Sequence, residues 1–131
     1  MMLRLLIAED NIGIRAKVVS TLEVEYSIVC AVGDGQELLD VESKCKPDVI
    51  ILDISMPTMN GIEAATRLRQ RGSTAKIVFL TVHEEPDFLK AATAVGALGY
   101  VIKSRLANDL RFAVNEAMAG RRFISPSINV Q

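Results

Sequence analysis

Cysteine is scarce in this chain, and neither of its two thiols sits in a pattern that binds metal. Cys30 and Cys45 lie beside apolar residues or Lys, with no Cys-x-x-Cys spacing and no histidine nearby. They suit half-buried positions in a reducing compartment. Proline (4) and glycine (8) are also few, while apolar residues make up 50% and charged residues 24%. That balance excludes a disordered, collagen-like or low-complexity chain. Neither sign of charge dominates: 15 Lys plus Arg stand against 16 Asp plus Glu, for a net charge of −1. Nucleic acid held by charge alone needs a basic stripe, and none is present. No apolar run approaches the roughly 18–20 residues of a membrane span. The opening Met-Met-Leu-Arg-Leu-Leu-Ile-Ala is cut off by Glu9-Asp10 and is too short for a secretory signal. The expectation is a cytoplasmic protein without a membrane partner. At 131 residues the length suits one domain, large enough to fold without a metal or a disulfide.

What the chain does have is a regular alternation of strand and helix. Leu3 to Ala8 is an apolar run that stops at Glu9-Asp10-Asn11. Ile14, Val18 and Leu22 then recur at spacing four, a helical stripe. Ser27 to Val32 is β-branched and apolar, hence a strand. Asp34 with Glu37 three residues later marks a helix start, and Leu38 and Val41 form its apolar face. Val49 to Leu52 is the strongest buried-strand run, and Asp53 ends it. After a loop rich in Pro, Asn and Gly, Ile62, Ala65 and Leu68 mark a helix closed by Gly72. Lys76 to Leu80 is a strand ended by Thr81. Pro86 opens a helix whose inner face is Leu89, Ala92 and Val95. Gly99 to Ile102 is a strand ended by Lys103. Leu106, Leu110, Ala113, Val114 and Ala117 stripe the last helix, which Gly120 stops; Phe112 and Met118 lie off that stripe. The strand bodies are apolar almost throughout, as in a parallel sheet covered by helices on both faces.

The polar residues that end the strands carry the chemistry. In an open parallel sheet, ligands bind outside the carboxyl ends of the strands, where strand order reverses. Glu9, Asp10, Asp53, Thr81 and Lys103 therefore share one edge. Taken singly, each has an ordinary explanation: acids after a strand cap helices, and a lone Lys is solvated. Together, crowded carboxylates repel, and a hard divalent cation such as Mg2+ relieves that repulsion while leaving room for phosphate oxygens. A carboxylate can also attack phosphorus, with the metal, an ammonium and a hydroxyl neutralising the transferred group.

These residues resemble the receiver domain of bacterial two-component response regulators. The matching segments are Glu9-Asp10, Asp53-Ile-Ser-Met-Pro-Thr-Met-Asn-Gly61, Thr81 and Gly99-Tyr-Val-Ile-Lys103, within a resemblance running from about Leu3 to Gly120. It implies a flavodoxin-like, CheY-like doubly wound α/β fold. The sheet would have five parallel strands in order 2-1-3-4-5, with helices on both faces. Asp53 would be the phosphoacceptor. Asp10 would bind Mg2+ directly, Glu9 mainly through water, and Ser55 through its backbone carbonyl. Thr81 and Lys103 would hold the phosphoryl oxygens, and Tyr100 would change position with Thr81 as the switch. The chain would be a signalling phosphoacceptor rather than an enzyme, assisting its own phosphorylation and dephosphorylation. Its donor would be a sensor histidine kinase, and phosphorylation would favour a homodimer.

The stretch Thr81-Val-His-Glu-Glu-Pro-Asp87 and the tail Gly120-Arg-Arg-Phe-Ile-Ser-Pro126 resemble the NarL/FixJ-like subfamily with a C-terminal LuxR-type helix-turn-helix. Residues 1–120 would then be the receiver domain, and 121–131 the start of a linker to a DNA-binding domain absent from this chain. DNA would be met only through that domain, to control transcription. Ser104 stands where many receivers have Pro, and Val82 where many have Ala or Gly. Val82 would narrow access to the phosphoryl group, and His83 would be a loop side chain that at most tunes that access. A phosphatase of the haloacid-dehalogenase type is the enzymatic rival. It places a second acid two residues after the nucleophile, where this chain has Ser55. A nucleotide-binding flavodoxin-like module would need a Gly/Ser/Thr-rich loop where Glu9-Asp10-Asn11 stand.

Overall fold

The computed structural model describes residues 2–126. Strands and helices alternate along the chain: β1 (Arg4–Ala8), α1 (Ile12–Leu22), β2 (Ser27–Val32), α2 (Gly35–Cys45), β3 (Val49–Leu52), α3 (Gly61–Gln70), β4 (Lys76–Thr81), α4 (Pro86–Ala94), β5 (Gly99–Ile102), a single 3-10 turn (Lys103–Arg105), α5 (Leu106–Met118) and β6 (Phe123–Ile124). All pairings are parallel, in order β2-β1-β3-β4-β5-β6. The expected order 2-1-3-4-5 holds. A short sixth strand extends it: Phe123 pairs with Gly99 and Ile124 with Tyr100. The sheet therefore continues beyond Gly120, into the segment expected to begin a linker. Residues 127–131 of that segment lie outside the described residues.

Alternation along each strand builds two apolar layers. Leu6, Ile50, Leu52, Ile77, Phe79 and Tyr100 face α2, α3 and α4. Leu5, Ile7, Val49, Ile51, Val78, Leu80 and Val101 face α1 and α5. The α5 stripe is buried as its spacing implies, with Leu106, Leu110, Ala113, Val114 and Ala117 nearly inaccessible. Both cysteines are free and half-buried, against the α2–α3–α4 layer. Phe112 is exposed and meets Phe123 edge-on, with ring centroids 5.1 Å apart.

Local chemistry fixes the helix starts. Asp34 accepts the Glu37 N–H at 2.8 Å, Asn11 that of Ile14 at 2.9 Å, and Asn60 that of Glu63 at 2.8 Å. Each satisfies one of the free N–H groups of a first helical turn. Gly61 is required where α3 begins, because a Cβ there would lie 2.1 Å from the Asp53 carbonyl oxygen. That close approach lets the Gly61 N–H reach Ile54 O at 2.8 Å and holds the loop tight beneath Asp53.

Candidate functional site

Strand register gathers the polar residues at one edge. Ala8 pairs with Leu52, so the next residues, Glu9 and Asp53, stand side by side; the Asp53 N–H donates to Ala8 O at 3.0 Å. Thr81 pairs with Ile102, so Lys103 follows immediately. Because β2 lies on one side of β1 and β3 on the other, strand order reverses between β1 and β3, the usual crevice of such sheets.

Glu9 and Asp53 are buried, at 1% and 2% exposure. Lys103 Nζ sits between them, 3.0 Å from Asp53 Oδ2 and 2.9 Å from Glu9 Oε1. The second oxygen of Asp53, Oδ1, accepts the Ser55 N–H at 3.3 Å, and Glu9 Oε2 accepts the Asn11 N–H at 3.0 Å. Glu9 Oε1 is buried, with the Lys103 ammonium 2.9 Å away. Asp10 is exposed at the mouth, and one carboxylate oxygen from each of Glu9, Asp10 and Asp53 lies within 4.8 Å of the others.

Three carboxylates against one ammonium leave a surplus of negative charge. Burial first, and then the neighbouring Glu9 charge, push the Asp53 carboxyl up to about 7, while Lys103 opposes the shift. Burial works against the Lys103 ammonium, but its contacts with Glu9 and Asp53 outweigh that and raise its pKa. The surplus negative charge and the all-oxygen donor set suit a hard divalent cation, so Glu9, Asp10 and Asp53 can hold a metal ion.

Thr81 ends β4, Tyr100 lies two residues deeper in β5, and the two meet through the backbone of His83. The Thr81 hydroxyl, fully buried, accepts the His83 N–H at 3.1 Å. Tyr100, 2% exposed, donates its hydroxyl to His83 O at 2.9 Å. Burial, then the Glu85 charge, push the Tyr100 phenol up to about 12, so it stays a donor. His83 does more than its loop position suggests. Its Nε2 lies 2.6 Å from Ser55 Oγ, and its ring stacks on Phe88 with centroids 4.0 Å apart. The imidazole thus bridges the loops after β3 and β4. A groove of about 370 Å3, walled in part by Ile54, Ser55, His83 and Phe88, opens beside that bridge. Nothing in the sequence pairs His83 with Ser55, which lies 28 residues away. Val82 is largely exposed.

Residues 5–115 match the family model described as the response regulator receiver domain. This chain belongs to that family. The receiver is 33% identical over 129 residues to the uncharacterized transcriptional regulatory protein YvfU of Bacillus subtilis, covering 97% of this chain and 64% of that protein. It is 37% identical over 123 residues to the transcriptional regulatory protein PdtaR of Mycobacterium tuberculosis, covering 93% of this chain and 60% of that protein. The crystal structure of a LuxR-family two-component response regulator from Aurantimonas sp. SI85-9A1 matches the receiver at a TM-score of 0.92 and 31% identity, covering 98% of this chain and 93% of that one. The receiver thus spans less than two-thirds of the length of these two curated relatives. Among the described residues, no helix is long and apolar enough to cross a membrane.

Proposed function

We propose that this receiver accepts a phosphoryl group on Asp53 from a phosphohistidine of a sensor histidine kinase, and that Glu9, Asp10, Asp53 and the Ser55 carbonyl hold the Mg2+ it uses. The observation that carries this is the single ammonium of Lys103 shared by two buried carboxylates at 3.0 and 2.9 Å. Asp53 is the nucleophile. One of its carboxylate oxygens forms the new bond to phosphorus, the phosphorus–nitrogen bond of the donor breaks, and the electron pair leaves with the imidazole. Bound Mg2+ supplies charge neutralisation for the carboxylates and the phosphoryl oxygens. Lys103 moves its contact from Asp53 Oδ2 to a phosphoryl oxygen, and the Thr81 hydroxyl donates to another. Ser55 stands two residues after Asp53, where a phosphatase of the haloacid-dehalogenase type places its second acid, and its hydroxyl is engaged by His83, which argues against phosphatase turnover. The receiver acts as a signalling phosphoacceptor, in the cytoplasm, with a domain that runs past the expected 1–120 to include β6 and Ser125. The chain beyond β6 leads towards a DNA-binding domain through which the whole protein controls transcription, and phosphorylation favours a homodimer. The names of the curated relatives support the transcriptional output.

Incubation with acetyl phosphate and Mg2+ is expected to add one phosphoryl mass to the receiver. Excess chelator should abolish the gain, as should Asp53→Asn. Full labelling of Asp53→Asn, read by intact mass, would place the acceptor elsewhere.

The His83 backbone gives the switch its route. A phosphoryl oxygen that takes the Thr81 O–H draws with it the oxygen that accepts the His83 N–H, and His83 O holds Tyr100. One or two hydrogen bonds and a charge contact supply about 2–4 kcal/mol, roughly a 30- to 900-fold population shift. Beryllofluoride should therefore perturb amide NMR signals across Thr81 to Ala92 and Gly99 to Leu110. Thr81→Ala should still bind the mimic but lose most of the distant shifts. Undiminished distant shifts in that variant would show that the signal travels another way.

A further inference from the structure

We propose that Asp109 and Ser125 are positioning residues for Lys103, so that the segment following α5 completes the phosphoryl site. This rests on the reading of Asp53 as phosphoacceptor and of Lys103 as its phosphoryl-binding ammonium. Lys103 lies between Ile102, the last residue of β5, and Arg105, the end of the 3-10 turn. One polar cluster, buried at Asp109 and Ser125, grips the residue before Lys103 and the residue two after it. Ser125 Oγ accepts the Ile102 N–H at 3.1 Å and donates to Asp109 Oδ2 at 2.8 Å. Arg105 holds the same carboxylate as a fork, Nε to Oδ2 at 2.7 Å and Nη2 to Oδ1 at 3.1 Å.

The cluster replaces a missing rung of the sheet. Strand β6 ends at Ile124, opposite Tyr100, and the Ser125 N–H to Tyr100 O bond at 2.9 Å is its last backbone contact. No β6 carbonyl reaches Ile102. The Ser125 side chain takes that place and fixes the end of β5 one residue before Lys103. The inner face of α5 is otherwise apolar, and a charged residue buried there is costly without partners. Asp109 is nonetheless 5% exposed and Ser125 1%. Burial pushes the Asp109 carboxyl up, but its bonds from Arg105 and Ser125 pull it further down, so it remains an anion. An apolar side chain would fill the same space. What it would not do is tie β6, α5 and both flanks of Lys103 to one point. The four-carbon Lys stem has many rotamers, and holding its amine at both carboxylates depends on a fixed backbone origin.

Two readouts test this on the 131-residue chain. In the metal-free protein without donor, the two ε-methylene protons of Lys103 should give separate NMR signals. In Ser125→Ala they should merge towards one averaged signal. With acetyl phosphate at saturating Mg2+, the maximal labelling rate of Ser125→Ala should fall about tenfold, the effect of one lost hydrogen bond to a fixed group. The donor concentration for half-maximal rate should stay within about twofold, because the loss falls on the transfer step. Arg105→Gln cuts the fork from the surface and should move both readouts the same way; it keeps the test decisive if Ser125→Ala does not fold. Tyr26→Phe removes the hydrogen bond between Tyr26 and Asn115 of α5, away from Lys103, and should move neither. Separate Lys103 signals in the folded variants, or merged signals with an unchanged rate, would overturn the proposal. If the wild-type chain takes no label at all, the Asp53 reading fails, while the Lys103 signals still decide the positioning.

Discussion

At pH 8 and without divalent ions, Asp53→Asn is expected to melt well above the wild-type receiver. The Asp53 carboxyl titrates near 7 in the folded chain, pushed there by burial and by Glu9, against about 3.9 for an unfolded Asp. Between those values the folded chain holds a proton that the unfolded chain has released. The stability tied to that proton is complete below about pH 4 and is lost as pH rises through about 7. Above that, folding forces a buried anion against Glu9, and Lys103 compensates only in part. A shift of this size corresponds to on the order of 2–4 kcal/mol, or roughly 5–15 °C for a domain of this length. Asparagine keeps the shape, carries no charge and adds an N–H donor beside the Glu9 carboxylate. The gap between the two proteins should narrow at pH 5, where Asp53 is protonated. It should also narrow when Mg2+ is added to the wild type at pH 8. Calorimetric melts across pH 5–8 check all three. Equal melting temperatures at pH 8 without metal would show that the carboxylates are not under strain.

How much of this was legible beforehand depended on range along the chain. The α5 stripe from Leu106 to Ala117 was read correctly because its spacing is a local property, and all five of its apolar residues are buried. The strand ends were legible for the same reason: an apolar run that stops at Asp53 or Lys103 declares its own boundary. Strand order came with the resemblance to receivers, since alternating strands and helices fix no order by themselves. The sixth strand was not foreseen, because two residues, Phe123 and Ile124, carry no periodicity, and the segment from Arg121 reads as the start of a linker. Contacts between distant residues were invisible in detail. The sequence placed Glu9 and Lys103 on one edge, but not a shared ammonium at 2.9 Å. His83 looked like an isolated loop histidine because its partners come from other segments: Ser55 precedes it by 28 residues, and the Phe88 ring belongs to α4. Asp109 carried no signal of its own, because its partner Ser125 lies 16 residues further on.

Lys103→Met should bind Mg2+ more tightly and accept phosphate more slowly, opposite effects from one lost charge. Methionine keeps most of the aliphatic stem but leaves Glu9 and Asp53, each no more than 3% exposed at the side chain, facing one another without a counter-charge. Removing one partner of a buried ion pair commonly costs about 3–5 kcal/mol, unless the remaining group takes up a proton or a cation. Both escapes are available here. Asp53, already near 7 with Lys103 present, should titrate higher still, so the variant loses most stability at alkaline pH and least near pH 5. A divalent ion supplies the missing charge, and it no longer competes with an ammonium 3.0 Å from Asp53. Affinity for Mg2+ should rise at least about tenfold, roughly 1.4 kcal/mol. The transferred phosphoryl group, by contrast, loses a cation aimed at its oxygens. Loss of one such preorganised donor slows transfer by on the order of a hundredfold. The chain has no tryptophan, so calorimetry or amide NMR is the natural measure of Mg2+ binding, with intact mass following acetyl phosphate labelling. Weaker Mg2+ binding in Lys103→Met would mean that the lysine organises the carboxylates for the ion rather than competing with it. An unchanged labelling rate would remove Lys103 from the transfer step.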